Sequence, residues 1–329
     1  MSPYVSTAYP NDREIIDIGG SKINMTFVDD QLPKAFAGQG DFPKEVAYTT
    51  GMDKWNAIAD KSYQTTDEIS IIEATAYKVV QQMESGTHII DLGAANSKKF
   101  EPYVRAFIAQ GKECVYVPLD LSHASLQEHI ARAKATFPNI KVIGLYGSFE
   151  QGDIYFKQTR PVARLFLSLG SIFYNAPDSM AEDRCVAFKG HFTAFDRLIV
   201  GQDGPTASSA SQTHAAYQTA EYDAFFTNYL QGLQDHSGII GVNPKLAWTV
   251  ESKLNKSMHY FDVTANQSMT CTKFDIHVPA GTVFQMFKSW KRYENEIHDL
   301  TNQVGLEIET LGKAPNSGMR QYLIRAAKN

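Results

Sequence analysis

Apolar runs alternate with helix-type spacings through the middle of the chain. Between two of these runs, Leu126, Ile130, Ala133 and Phe137 recur at steps of four, three and four, which predicts one face of a helix. Strands separated by helices need right-handed crossover connections. The pattern therefore predicts an α/β fold with a parallel, doubly wound sheet. The runs that predict its buried strands are 87–92, 114–121, 141–146, 162–169 and 196–203.

The chain before this alternation is less regular. Residues 1–47 are polar and broken by Pro and Gly, so they predict a loosely ordered arm with a strand or two. Thr65 and Glu68 resemble a capping box at the start of a helix. Apolar residues on one face continue this predicted helix to about residue 85, where Gly86 ends it.

The pattern changes again after residue 203. Small residues predict a loop over 204–211, and aromatic residues are frequent in a predicted helix over 212–235. A second region is therefore predicted to be inserted between the fifth strand of the sheet and its last elements. The elements predicted after that helix are strands between 248 and 290, including 273–278, a helix over 294–304, and strands over 306–308 and 321–324.

Composition limits the class of protein. The 329 residues are 43% hydrophobic and 20% charged, which suits a folded core and is too few charges for a disordered chain. The net charge of −5 gives no general attraction to phosphate backbones. The basic run of Lys288, Lys291 and Arg292 is explained at least as well by a solvated face. We therefore expect no nucleic-acid partner.

The sequence also indicates the compartment. Its three cysteines are far apart, and neither they nor the nine histidines show a spacing typical of a disulfide framework or a metal site. Residues 1–30 show no signal-peptide pattern, and no apolar stretch is long enough to cross a bilayer. We expect a soluble, cytoplasmic protein with no metal and no membrane partner.

The predicted strands end in residues that suit a nucleoside. Asp91 and Gly93 close the first strand, and a glycine there lets the backbone approach a ligand closely. Asp120 ends the second strand, where a carboxylate can accept both hydroxyls of a ribose. Ligands of open α/β sheets bind beyond the carboxyl ends of the strands, so a nucleoside-type cofactor is predicted there. The third and fourth strands are followed by Ser148, Phe149 and Gly170.

The strand ends alone do not separate NAD from S-adenosylmethionine (SAM). Only one glycine of a Gly-x-Gly-x-x-Gly motif is present, which argues against a pyrophosphate. The chain has neither a Walker loop nor a Gly-x-Ser-x-Gly nucleophile motif. The aromatic helix with Tyr217 and Tyr222 either packs in the core or lines a pocket suited to an ammonium or sulfonium cation.

Short motifs in a fixed order carry a family resemblance. With an order and spacing that cover about residues 43–310, the chain resembles the histidine Nα-methyltransferases of the ergothioneine pathway. It resembles equally their fungal relatives, the 4-dimethylallyltryptophan N-methyltransferases. The motifs are 48–56, 90–93 with Lys99, 118–122, 147–150, 169–171 with Asn175, 280–281, and Ser289-x-Lys291.

This resemblance implies an architecture and a cofactor. A Rossmann-like class I methyltransferase core would comprise 64–205 and 290–329. An α+β substrate-binding domain would combine 1–63 with the insertion 206–289. The cofactor would be SAM and the substrate a small amino-acid derivative. We expect a monomer or a weak homodimer.

The strand ends and the resemblance together assign residues to two sites. The cofactor residues are Asp91, Gly93, Lys99, Asp120, Leu121, Ser148, Phe149 and Gly170. The substrate residues are Tyr48, Tyr63, Asn175, Tyr217, Phe287 and Ser289. The predicted catalytic residues are Asn175, Tyr217 and Tyr174.

Three positions depart from the family pattern. Phe287 stands where the histidine enzymes have a glutamate that pairs with imidazole, which favours a larger or more apolar acceptor side chain. Ser148 replaces the acid that contacts adenine. Phe173 and Tyr174 replace the Ile-Gly before Asn175, which predicts a phenol beside the reaction centre.

These observations leave three hypotheses. The first is SAM-dependent N-methylation of an amino acid or derivative, aromatic rather than histidine, in secondary metabolism, with alignment supplying most of the rate. The second, which depends on Tyr174, is cyclisation of SAM to azetidine-2-carboxylate with release of methylthioadenosine. The third is a non-catalytic, cofactor-binding pathway protein.

Overall fold

The computed structural model describes residues 14–22, 26–94, 98–206 and 210–327. Its helices are α1 (Thr26–Phe36), α2 (Glu45–Lys61), α3 (Tyr63–Gln81), α4 (Glu101–Ala109), α5 (His123–Thr136), α6 (Asp153–Gln158), α7 (Asp178–His191), α8 (Ala210–Ala215), α9 (Ala220–Ser237), α10 (Pro244–Ala247) and α11 (Glu294–Gln303). Among the helices of these ranges, none combines the length and the apolar character that a bilayer span requires.

The strands follow the predicted runs closely. They are β1 (Ile15–Asp17), β2 (Thr87–Leu92), β3 (Cys114–Asp120), β4 (Lys141–Val142), β5 (Gly144–Tyr146), β6 (Arg164–Ser168), β7 (Arg197–Gln202), β8 (Trp248–Asn255), β9 (Met258–Ala265), β10 (Met269–Cys271), β11 (Ile276–Val278), β12 (Val283–Trp290), β13 (Leu306–Lys313) and β14 (Arg320–Ala326). Two details differ: the predicted strand 141–146 is divided into β4 and β5, and 273–275 form a turn before β11.

One large sheet organises the fold. Its order is β1-β5-β3-β2-β6-β7-β14-β13, and β4 pairs with β3 beside this path. The strands from β1 to β7 pair in parallel, whereas β14 pairs antiparallel with β7 and with β13. Separate apolar clusters cover its two faces, with Ile89 and Leu165 in one and Ile90 and Phe166 in the other. This doubly wound sheet confirms the predicted α/β fold.

The amino-terminal segment is more ordered than predicted. In its described part, α1 and the first residues of α2 replace loose chain, and 15–17 form an edge strand parallel to β5, in line with the strand or two expected there. That strand belongs to the large sheet and not to the substrate-binding domain to which 1–63 are assigned. Residues 1–13 and 23–25 of the predicted arm lie outside the described residues.

The N-cap of helix α3 lies three residues before Thr65, the predicted first residue of the capping box. Ser62 is its N-cap, and its hydroxyl accepts a hydrogen bond from the Gln64 amide at 3.2 Å. The capping-box interpretation of Thr65 and Glu68 is therefore wrong. Glu68 is instead fully buried within the fold.

A third apolar cluster lies apart from the large sheet. It joins α1 and α2 to α9 and to the antiparallel sheet β12-β9-β8, through side chains such as Val46, Phe225 and Phe261. The predicted division into a core and a substrate-binding domain, with its boundaries, stays a prediction.

Candidate active site

The order of the large sheet reverses at β2, which has β3 on one side and β6 on the other. In open α/β sheets such a reversal leaves a crevice at the carboxyl ends of the strands. Gly93 follows β2, Asp120 ends β3, and Gly170 follows β6 at this edge. The topology thus brings together the strand ends on which the cofactor prediction depends.

Gly93 adopts a conformation that other residues rarely take. Its φ is +73°, and a Cβ there would lie 3.3 Å from Ile172 Cδ1 and 3.5 Å from Phe149 Cζ. The turn is held by hydrogen bonds from the amides of Gly93 and Ala94 to the Leu119 carbonyl, at 2.9 and 3.2 Å. The backbone can therefore approach a ligand beside the Phe149 ring. Residues 95–97 of this predicted motif lie outside the described residues.

The end of β3 offers a carboxylate and an apolar surface. The Asp120 side chain is mostly buried, and its Oδ1 accepts a hydrogen bond from the Ser122 amide at 2.8 Å. The neighbouring Leu121 is 49% exposed, which leaves apolar area for a ligand to cover. The Ser148 hydroxyl stabilises the turn in which it lies, because it accepts a hydrogen bond from the Gln151 amide at 3.3 Å.

Asp91 is the last member of a buried polar chain that the sequence did not reveal. Arg132 donates to His129 Nδ1 at 2.9 Å, and His129 Nε2 lies 2.6 Å from the Tyr116 hydroxyl, which donates to Asp91 Oδ2 at 2.8 Å. Since arginine only donates, Nε2 of His129 carries the proton and donates to Tyr116. Burial raises the pKa of Asp91 to about 7, although the Tyr116 hydrogen bond and Lys99 act in the opposite direction.

A buried ion pair fixes Lys99. Its Nζ lies 2.6 Å from Glu68 Oε2, and both oxygens of Glu68 accept from the Gly170 amide at 3.0 Å. Glu68 thereby links α3, Lys99 and the end of β6. A glycine within a buried strand often marks a close approach by another group. At Gly201 that group is Glu68, since a Cβ there would lie 1.5 Å from Glu68 Oε1.

The predicted substrate residues meet where β12 approaches the end of β6. The Tyr217 hydroxyl donates to Ser289 Oγ at 3.1 Å. Asn175 Oδ1 accepts from the Trp290 amide at 2.8 Å. The ring of His259 stacks on one face of the Tyr217 ring, with centroids 3.4 Å apart, and restricts the position of the phenol.

Tyr63 is connected to the region around Tyr217 through the buried ion pair of Asp203 and Lys291. Its hydroxyl donates to Asp203 Oδ2 at 2.8 Å, and Lys291 Nζ lies 3.1 Å from the same oxygen. Lys291 Nζ also lies 5.3 Å from the centre of the Tyr217 ring. Burial lowers the pKa of Lys291, but Tyr217 and Asp203 outweigh burial, so the pKa is raised overall and the ammonium stays charged.

This arrangement corrects the interpretation of the basic run as a solvated face. Lys291 and Arg292 are 2% and 4% exposed. Arg292 donates from Nε to the Tyr174 carbonyl at 3.0 Å and from Nη2 to the Ala176 carbonyl, so it shapes the loop that carries Asn175. Lys288 alone remains at the rim, paired with Asp41 at 2.7 Å.

Aromatic rings enclose Tyr48 and Phe287. The ring centre of Tyr48 lies 6.2 Å from that of Phe287 and 5.4 Å from that of Trp55. Phe287 sits at a bulge in β12 with φ +53°, which turns its ring towards Phe225 and Tyr229. Such strain at a non-glycine residue is typical of functional sites.

Tyr174 does not join this group. Its side chain is fully buried, and its hydroxyl lies 2.5 Å from Thr301 Oγ1 and contacts Cys185. The loop held by Arg292 presents Asn175 to β12 and turns the Tyr174 phenol into the core. The expectation of a phenol beside the reaction centre is therefore wrong.

The fold and the strand-end site define a class I methyltransferase. The chain belongs to the family of SAM-dependent, histidine-specific methyltransferases, which matches residues 33–326. This match confirms the family resemblance and the predicted cofactor.

Curated relatives extend the comparison. The chain is 25% identical to the N-methyltransferase imqF of Aspergillus flavus over 327 residues, which cover 93% of this chain and 87% of that protein. It is 28% identical to ergothioneine biosynthesis protein 1 of Neurospora crassa, over 55% of this chain and 20% of that protein. It is 28% identical to the 4-dimethylallyltryptophan N-methyltransferase easF of Claviceps fusiformis, over 44% of this chain and 43% of that protein. By family and fold, the chain is a SAM-dependent N-methyltransferase.

The residues at the strand ends fit SAM. Gly93 takes a turn conformation that side chains rarely adopt, Asp120 would supply a carboxylate for ribose hydroxyls, and Leu121 and Phe149 would supply apolar surface for a base. Lys99, held by Glu68, places a cation at the same edge, where it can meet a carboxylate. The contact of each of these residues with the cofactor stays a prediction.

Proposed function

We propose that the chain methylates the amine of an amino acid or amino-acid derivative with an aromatic side chain, in secondary metabolism. The observation that carries this proposal is the convergence of Asn175, Tyr217 and Ser289 beside the aromatic enclosure of Tyr48 and Phe287. Polar groups for an amino-acid moiety thus adjoin aromatic rings that would contact its side chain. SAM, when bound, supplies a methyl group on a positively charged sulfur.

The polar residues hold the amine and carboxylate of the acceptor. Asn175 keeps its amide nitrogen available for a carboxylate, because its oxygen already accepts from Trp290. The Tyr217 hydroxyl donates to Ser289 and can accept a hydrogen bond from an amine. Tyr63 donates to Asp203 and has the same capacity. Acceptance of amine protons by these phenols directs the nitrogen lone pair away from them.

The aromatic enclosure favours an aromatic acceptor over histidine. A phenylalanine ring cannot accept the imidazole proton, and Phe287 is surrounded by the rings of Tyr48, Phe225, Phe226 and Tyr229. Edge-to-face contact with such rings stabilises a planar aromatic side chain. One relative, the 4-dimethylallyltryptophan N-methyltransferase easF, is named for an acceptor other than histidine.

The cyclisation hypothesis loses its structural support, since Tyr174 points into the core. Tyr217 alone does not favour it over methyl transfer. It remains an outcome that the experiment below distinguishes, as does a protein that binds SAM without turnover.

The test is an end-point assay by mass spectrometry. Purified protein is incubated with SAM, with and without histidine, tryptophan, tyrosine and a prenylated tryptophan. We expect S-adenosylhomocysteine to form only when an aromatic acceptor is present, together with an acceptor that has gained one methyl group. Methylthioadenosine formed without any acceptor would overturn the proposal in favour of cyclisation. Tight cofactor binding without any product would favour the non-catalytic alternative.

A further inference from the structure

Lys44 lies at the end of the aromatic enclosure. It immediately precedes α2, one helical turn before Tyr48, and its Nζ donates to the backbone carbonyl of Lys288. The same nitrogen lies 5.5 Å from the ring centre of Phe287 and 6.0 Å from that of Trp290. The ammonium therefore borders the space in which an acceptor side chain would lie.

Among the described residues, this ammonium makes one hydrogen bond. A lysine ammonium has three donors, and the Lys288 carbonyl takes one of them. In the part of the chain that the structure describes, no carboxylate lies within ion-pair distance of Lys44 Nζ. The nearby Asp41 pairs with Lys288 instead, at 2.7 Å. Lys291, by contrast, has Asp203 as its partner.

Burial makes the charge of Lys44 sensitive to a ligand. Burial lowers its pKa to about 8, and the cations Arg184 and Lys291 act in the same direction. Asp41 and Glu45 raise the pKa and only partly offset these effects. A ligand anion would complete the donors of Lys44 and stabilise its charged form.

The position of Lys44 relative to the polar residues sets the shape of the ligand. Asn175 binds the Trp290 amide and Tyr217 binds Ser289, so the amino-acid moiety belongs at the end of β12. Lys44 Nζ lies beside the rings of Phe287 and Trp290, 5.5 and 6.0 Å from their centres. An acceptor held both by these polar residues and by Lys44 would carry a polar group on its side chain in addition to its amine.

We propose that Lys44 recognises an oxygen acceptor, either a carboxylate or a phenol oxygen, on the aromatic side chain of the substrate. This inference rests on the proposed function and specifies its substrate class. A charge-assisted hydrogen bond in a partly buried site favours an acceptor with such an oxygen by about tenfold over one that lacks it.

The test compares acceptors that differ only at the remote end of the ring. Phenylalanine, tyrosine, 4-carboxyphenylalanine and 4-aminomethylphenylalanine are titrated by calorimetry in the presence of S-adenosylhomocysteine, and their methylation with SAM is measured in parallel. Wild-type protein is compared with Lys44→Met and Lys44→Arg. Lys288→Met is the matched control, because it removes a neighbouring ammonium that already pairs with Asp41.

We expect wild-type protein and Lys288→Met to prefer 4-carboxyphenylalanine and tyrosine over phenylalanine by about tenfold and to reject the aminomethyl compound. Lys44→Met should lose this preference, and Lys44→Arg should restore part of it. Thermal unfolding with S-adenosylhomocysteine shows that each variant is folded. Methylation of all four compounds without preference would overturn the role of Lys44 and leave the proposed function intact. No methylation of any amine by wild-type protein would overturn both.

Discussion

The pair Glu68–Lys99 allows the most quantitative test of the structure. Glu68 is fully buried, Lys99 is 11% exposed at its side chain, and the two groups are 2.6 Å apart. Glu68→Gln keeps the shape and an acceptor for the Gly170 amide but removes the charge that faces Lys99. Loss of one partner from a buried ion pair costs about 3–5 kcal/mol. We expect the free energy of unfolding to fall by an amount near the lower end of that range, because Lys99 retains some contact with solvent.

The double variant separates the interaction energy between Glu68 and Lys99 from the effects of their other contacts. Lys99→Met should destabilise the fold by a similar amount, because it leaves the Glu68 carboxylate buried without its cation. Glu68→Gln with Lys99→Met should be destabilised by less than the sum of the single variants, with a coupling energy of about 2 kcal/mol. Urea unfolding at pH 7 measures all four free energies. Additive effects would refute the view that the pair is a stabilising unit.

The same variants test whether Glu68 positions Lys99 for the cofactor. Stabilisation by S-adenosylhomocysteine reports its affinity for the folded protein. We expect Glu68→Gln to weaken this stabilisation, although Glu68 bonds to Lys99 and Gly170 and is not assigned to the cofactor. An unchanged stabilisation in Glu68→Gln and in Lys99→Met would remove Lys99 from the cofactor site.

Three further changes give predictions from single residues. Gly93→Ala should lower the affinity for S-adenosylhomocysteine that calorimetry measures. The φ of +73° at this position costs an alanine roughly 1–2 kcal/mol, and the added methyl group would crowd Ile172. An unchanged affinity would contradict the close approach of this backbone to the cofactor. Asp91→Asn should flatten the pH dependence of the unfolding free energy. The pKa of the Asp91 carboxyl is raised from its ordinary value of 3.8 to about 7 in the folded protein. Between these values the folded chain binds one proton more than the unfolded chain, so the wild-type protein loses stability as pH rises from about 4 to 7. An identical slope in Asp91→Asn would place that titration elsewhere. Tyr63→Phe should lower the unfolding free energy by roughly 1.5–3 kcal/mol, since the Asp203 carboxylate loses a hydrogen bond; denaturant titration measures the change, and no loss would show that this bond is not stabilising.

Sequence patterns predict the large sheet well and the amino-terminal helices poorly. The strands β2, β3, β6 and β7 are mainly apolar and almost entirely buried, which is the pattern of a central parallel sheet. In contrast, α1 contains Pro33 and α2 is interrupted by a non-helical Gly51. Both breaks hide the helical period, and packing against α9 stabilises the helices despite them.

The site shows the same division between local and long-range information. Gly93, Asp120 and Gly170 could be predicted because the topology of a parallel sheet places the ends of its strands together. The pairs Glu68–Lys99 and Asp203–Lys291 could not, because their members lie on segments far apart in sequence and only the folded chain brings them into contact. Tyr174 shows the converse, because its neighbour Asn175 faces β12 while Tyr174 itself is directed into the core by the loop that Arg292 holds.

The most direct test of the account follows the methyl group itself. SAM with a deuterated methyl group is incubated with the protein and the acceptor that the specificity panel selects, and tandem mass spectrometry locates the label. We expect the intact labelled methyl group on the amine nitrogen of an aromatic amino acid, with unlabelled S-adenosylhomocysteine as the other product. A label that stays in methylthioadenosine, or that reaches a carbon or oxygen of the acceptor, would contradict this expectation.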